Sequence, residues 1–133
     1  MTAIYQSRER ANEAAERLKI YAQPQRLMIL SYLLAGERTV GEIEAATAIG
    51  QPALSQQLAE LRRAALVETR RAAKQVYYRL ADARAALCIR CIEAVFEGEG
   101  DPESALAGVL RTPDAGEEPR GRAGAASFAK IIL

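Results

Sequence analysis

Histidine is missing from all 133 residues. Its absence excludes an imidazole general base and any zinc site built on histidine ligands. Cysteine occurs only twice, at Cys88 and Cys91, too few for a disulfide framework, so the fold has to be held by burial. Long apolar runs are missing as well. The longest, Leu27 to Ala35, is broken by Ser31 and falls far below the roughly 20 residues that span a bilayer. The opening stretch from Met1 to Arg8 lacks the apolar run of a signal peptide, so a cytoplasmic location is expected and no membrane partner. There is no glycine-rich phosphate loop and no convincing carboxylate pair. With histidine gone too, no enzyme constellation remains, and the chain is expected not to be an enzyme.

What is present suffices for one domain. Half the residues are apolar and 26% are charged, with a net charge of +1. That near-neutral total conceals segregation. From Gly50 to Leu80 six cations (Arg62, Arg63, Arg70, Arg71, Lys74, Arg79) face two anions, Glu60 and Glu68. From Glu97 to Glu118 seven anions face Arg111 alone. A basic middle before an acidic end suggests that the middle meets a polyanion.

Residues 7–22 carry apolar positions at Ala11, Ala14, Ala15, Leu18 and Tyr21, the spacing of an amphipathic helix. Pro24 opens a second helix to about Leu34, apolar around nearly its whole girth and therefore expected in the middle of the domain. Gly36 ends it. A short strand at Arg38-Thr39-Val40 leads into Thr39-x-x-Glu42, a capping box for a third helix with an inward face of Val40, Ile43 and Ala46. After Ile49-Gly50, Gln51-Pro52 starts a fourth helix with Leu54, Leu58 and Leu61 on one face. Leu66–Arg70 and Gln75–Leu80 have strand character and make a hairpin with the cationic tip Arg71-Ala72-Ala73-Lys74. A fifth helix follows Asp82 to about Phe96, with Ala85, Cys88, Cys91, Ile92 and Val95 along a seam. From Glu97 on, glycine, proline and acids predict a mobile tail.

The predicted fold is mainly α with a small β-hairpin, a winged helix-turn-helix. Residues 1–96 are expected to form this domain, and 97–133 an acidic, then weakly basic, tail. Gln51, Ser55, Gln56 and Gln57 offer donors and acceptors suited to base edges and phosphates. Arg62, Arg63, Arg70, Arg71 and Lys74 supply phosphate neutralisation. Two readings compete with this one: a solvated basic face beside an ordinary polar helix, and a winged-helix module, without a small-molecule sensor, that binds a protein partner through Phe128–Leu133. The positive wing favours DNA.

Three segments resemble one family. Leu18-Lys19-x-x-Ala22-x-Pro24-x-Arg26-Leu27-x-Ile29-Leu30 resembles the second-helix signature of the ArsR/SmtB repressors. Gln51-Pro52-Ala53-Leu54-Ser55-Gln56-Gln57-Leu58-x-x-Leu61-Arg62-x-x-x-Leu66-Val67 resembles their recognition helix, and Arg70-Arg71 with Val76–Leu80 their wing. The resemblance covers about residues 10 to 96. It implies a homodimeric repressor, joined through its first and last helices on an inverted-repeat operator, that leaves double-stranded DNA when a metal or other small signal arrives, so that residues 1–96 serve as the DNA-binding and dimerisation domain. Ala48 stands where the family often has a turn glycine, Gly50 where it has a serine cap, and Gln57 where it often has histidine. The family's sensor sites are not matched. Arg84 occupies a zinc-ligand histidine place, Glu42–Ala46 holds no thiol, and Ser31 stands where the persulfide-sensing branch has its first cysteine.

Cys88 and Cys91 lie three apart on one helix, with Cβ atoms roughly 5–6 Å apart. They suit a thiophilic metal or metalloid, or an oxidant, and equally suit simple packing in a dimer seam. Arsenite, antimonite, mercury and oxidants are all compatible with the pair.

Overall fold

Ser7 starts the first long helix, α1 (Arg8–Tyr21), by accepting the Arg10 N–H on its hydroxyl at 3.1 Å. A serine there satisfies a first-turn donor that has no partner within the helix. The structure, a computed structural model, describes residues 2–96 and 100–111. Pro24 opens α2 (Pro24–Tyr32), where its missing N–H costs nothing. A 3-10 turn, Leu33–Ala35, extends it to Gly36, whose φ of 136° strongly favours glycine. α2 takes the central place expected of it, with Ile29, Leu30 and Leu33 fully covered. Its girth is not wholly buried. Met28 faces outward, and the Arg38 guanidinium lies over the Tyr32 ring, 5.0 Å from its centroid.

The capping box forms as expected at the head of α3 (Val40–Thr47). Thr39 Oγ1 accepts the Glu42 N–H at 3.1 Å, and Glu42 Oε1 accepts the Thr39 N–H at 2.9 Å. The inward face differs from the expected one. Ala46 is exposed, and Thr47, four residues on from Ile43, is buried instead. Its hydroxyl donates to the Ile43 carbonyl at 2.7 Å and accepts from the Ile49 N–H at 3.3 Å. A threonine so paired enters the core without an unsatisfied polar atom.

Ala48 ends α3 in the left-handed region at φ 61°. After it, α4 (Ala53–Arg63) buries Leu54, Leu58 and Leu61, as their spacing predicts. Each full leucine burial contributes about 1.5–3 kcal/mol, so these three residues seat the helix firmly.

The chain then turns back as β2 (Val67–Ala72) and β3 (Gln75–Leu80), antiparallel, with Val67 opposite Leu80 and Ala72 opposite Gln75. Arg71 and Ala72 therefore belong to the strand, and the tip is the pair Ala73-Lys74, at φ 48° and 70°. This is the left-handed pair of a tight hairpin turn. The two-residue strand β1 (Arg38–Thr39) pairs on the other edge of β3, giving the order β1-β3-β2.

Asp82 starts α5 (Ala83–Val95) by accepting the Ala85 N–H at 3.0 Å. Ala85, Ala86 and Ile89 are buried; Cys88 and Ile92 pack against the core partly covered, and Val95 faces outward. Within the stretch predicted to be a mobile tail, the structure forms a sixth helix, α6 (Pro102–Arg111), packed on α5. Asp101 caps it by accepting the Ser104 N–H at 3.2 Å, with proline in the first helical position. The remainder of that stretch, 97–99 and 112–133 with Phe128–Leu133, lies outside the described residues.

Candidate nucleic-acid interface

α3, its turn and α4 form a helix-turn-helix, and β2 with β3 forms the wing. The polar start of α4 organises itself. Pro52 has no side chain to cap the helix, and Gln51 does so instead: its Oε1 accepts from the Ser55 N–H at 3.1 Å and the Ser55 hydroxyl at 2.7 Å. Gln51, Ser55 and Gln56 are all exposed, and among the described residues the Gln56 amide engages no other side chain. Three of the four polar residues expected to read DNA therefore share an open face.

Gln57 does not join them. It is half-buried and turned to α2, where Oε1 accepts from Arg26 Nε at 2.8 Å. Its Nε2 donates to Gln23 Oε1 at 2.9 Å and Gln25 Oε1 at 3.1 Å. An amide with both donors engaged has no donor left for a base edge.

The cations divide in the same way. Arg63 pairs with Glu60 at 2.8 Å. Arg70 makes a two-pronged pair with Glu37, at 2.9 and 2.7 Å, and lies over the Tyr77 ring, 4.6 Å from its centroid. Those bonds to Glu37 raise the Arg70 guanidinium above its already high pKa. Arg79 pairs with Glu68, directly opposite it across the sheet. Among the described residues Arg62, Arg71 and Lys74 have no carboxylate partner. Lys74 also holds a left-handed conformation that costs a non-glycine residue about 1–2 kcal/mol. The wing tip thus carries charge in a place where asparagine or glycine would be easier. Between α4 and β3 an open groove of about 470 Å³ is lined by Ser55, Ala59, Arg62 and Arg63 on one side and Val40 and Tyr78 on the other.

Sequence reasoning missed Gln23 and Gln25, which hold Gln57 inward, and Glu37, which pairs with the exposed Arg70. Their partners lie 32 to 34 residues away, beyond any local pattern.

Cys88 and Cys91 are both free and half-buried on α5. The Cys88 thiol sits beside the hydroxyl of Tyr21, at the end of α1. Burial first, and that thiol second, push the Tyr21 phenol well above its usual pKa. Among the described residues no three metal-ligating side chains come together. Ser31 donates its hydroxyl to the Glu93 carboxylate, tying α2 to α5.

A helix-turn-helix with an open polar second helix, beside a two-stranded wing tipped with cations, defines a winged-helix DNA-binding protein. Comparison with known proteins narrows the class. Residues 23–69 match the family described as bacterial regulatory protein, arsR family. The biofilm growth-associated repressor of Agrobacterium fabrum is 52% identical over 88 residues, which is 66% of this chain and 75% of that protein. The crystal structure of the repressor BigR from Xylella fastidiosa superposes with a TM-score of 0.65 at 45% identity, covering 71% of this chain and 97% of that one. The homodimeric winged helix-turn-helix domain Mb0332 of Mycobacterium bovis gives 0.60 at 30% identity, covering 73% and 88%. The chain belongs to the ArsR/SmtB family of DNA-binding transcriptional regulators. Its relatives regulate transcription and are not enzymes. No helix among the described residues is long and apolar enough to cross a membrane.

Proposed function

We propose that the chain is a cytoplasmic homodimeric repressor that binds an inverted-repeat operator and is released by a thiol-reactive signal acting at Cys88 and Cys91. The observation that carries the DNA reading is the open face of Gln51, just before α4, with Ser55 and Gln56 on it, together with the cations Arg62, Arg71 and Lys74, which have no carboxylate partner among the described residues. Base-edge donors on a helix and free cations around them are the two components of specific binding. The dimer is supported by apolar side chains exposed near both ends of the domain, Leu18 at 56%, Val95 at 68% and Phe96 at 80%. A second copy would cover such a surface.

For the signal, the support is chemical. The two cysteines are the only thiols of the chain, and α5 packs on α2, to which the Ser31–Glu93 bond also ties it, so a change at α5 reaches the helix at the centre of the domain. A metalloid would bind both sulfurs and take any further ligand from the partner or solvent. The test is a gel shift on the duplex upstream of the chain's own gene, with and without arsenite, antimonite, mercuric ion or hydrogen peroxide. A shifted band that one of these reagents abolishes is the expected result. A shift that none of them alters contradicts the thiol signal, and absence of any shift contradicts the operator.

A further inference from the structure

Gln57 directly follows Gln56 on α4, about 100° further round the helix. Where Gln56 meets solvent, Gln57 meets the rest of the domain. Its amide is bound by Arg26, Gln23 and Gln25, all at the start of α2. Arg26 also donates from Nη1 to the Ile20 carbonyl near the end of α1, at 3.2 Å, and the Gln23 N–H donates to the Tyr21 carbonyl at 2.8 Å. The end of α1, the start of α2 and the middle of α4 thus meet at one side chain.

The buried leucines Leu54, Leu58 and Leu61 set how deeply α4 sits, but apolar contact is not directional. Hydrogen bonds are directional, with a useful range of only about half an ångström. Side-chain ends lie some 5–6 Å from a helix axis, so a 20° roll moves them by about 2 Å. Such a roll would leave the leucines covered and carry Ser55 and Gln56, with the Gln51 side chain bonded to Ser55, out of reach of any base edge they meet.

Resting on the DNA-reading role proposed above, we infer that Gln57, clasped by Arg26, Gln23 and Gln25, is a positioning residue. It fixes the roll of α4, and through it the discrimination between bases, without touching DNA itself.

The test uses the full chain and two probes: a duplex that the unsubstituted chain selects from a randomised pool, and a scrambled duplex of equal length and composition. Fluorescence anisotropy gives the affinity for each, and thermal melting checks the fold. Gln57→Ala is expected to reduce the ratio of selected to scrambled affinity about tenfold, a size usual for coupled polar contacts, while the scrambled affinity and its salt dependence stay unchanged. Arg26→Ala reduces the ratio similarly, and the double variant loses no more than the larger single, because both act through one contact. Gln57→Glu keeps the oxygen that accepts from Arg26 and recovers part of the ratio. If Arg26→Ala does not fold, Gln23→Ala with Gln25→Ala opens the clasp from its other side and carries the same expectation. A lower melting temperature with an unchanged ratio makes the cluster purely structural and overturns the inference. So does a ratio that falls in Gln57→Ala but in none of the clasp variants, which makes Gln57 a direct base contact. If the unsubstituted chain selects no sequence, the DNA reading itself fails, and the inference fails with it.

Discussion

Replacing Lys74 by alanine tests the division of cations into free and paired. Each phosphate that a cation neutralises adds about −0.9 to the slope of log affinity against log salt. Arg62, Arg71 and Lys74 are the cations on α4 and the wing with no carboxylate partner among the described residues, so a dimer presents two sets of three. The expected slope is about −5, and the affinity should fall about 10³-fold between 50 and 200 mM salt. Lys74→Ala removes two contacts per dimer, which flattens the slope by about 1.8 and reduces that fall to about 10²-fold. Arg79→Ala is the control. Arg79 is already bound to Glu68 at 2.9 Å, and losing it should barely change the slope. Anisotropy titrations of a labelled duplex at five or six salt concentrations measure all three proteins. An unchanged slope in Lys74→Ala, or equal flattening in Arg79→Ala, would refute the reasoning.

Ala48→Gly relieves the left-handed strain at φ 61° but adds freedom to the unfolded chain, for a net gain of about 0.5–1 kcal/mol in urea unfolding; a loss of stability would mean the turn is not strained. Tyr21 keeps its phenolic proton in the folded state well beyond the ordinary value of 10.0, because burial disfavours the anion. The unfolded chain releases that proton first, so this contribution to stability is intact below pH 10.0 and is lost as the pH rises above it. In Tyr21→Phe that part of the alkaline loss should vanish from unfolding curves taken between pH 9 and 11. Cys88→Ser combined with Cys91→Ser should keep DNA binding and abolish release by thiol reagents in the gel shift; continued release would place the sensor elsewhere.

The elements legible in the sequence were those with local causes. Thr39 and Glu42 cap each other within one turn, and Leu54, Leu58 and Leu61 share a face by spacing alone. Thr47 was harder, because its burial depends on the hydroxyl finding the Ile43 carbonyl, which a hydrophobicity pattern does not count. α6 did leave a local sign in Asp101-Pro102, a cap followed by proline in the first helical position, but the surrounding glycines and acids outweighed it. The candidate site was legible as a set of residue types and not as a set of free groups. Gln57, Arg70 and Arg79 look like Gln56, Arg71 and Lys74 in sequence. What separates them is a partner brought close by the fold: Gln23 and Gln25 for Gln57, Glu37 for Arg70 and Glu68 for Arg79.

The central claim is that α4 and the wing read DNA as a symmetric pair. Selection of duplexes from a randomised pool by the full chain, followed by sequencing of those bound, tests it most directly. The account predicts an inverted repeat whose half-sites lie about one helical turn apart, the spacing set by two recognition helices on one face of the duplex. A pool that emerges as random as it began, or a single unrepeated half-site bound at full affinity, would contradict it.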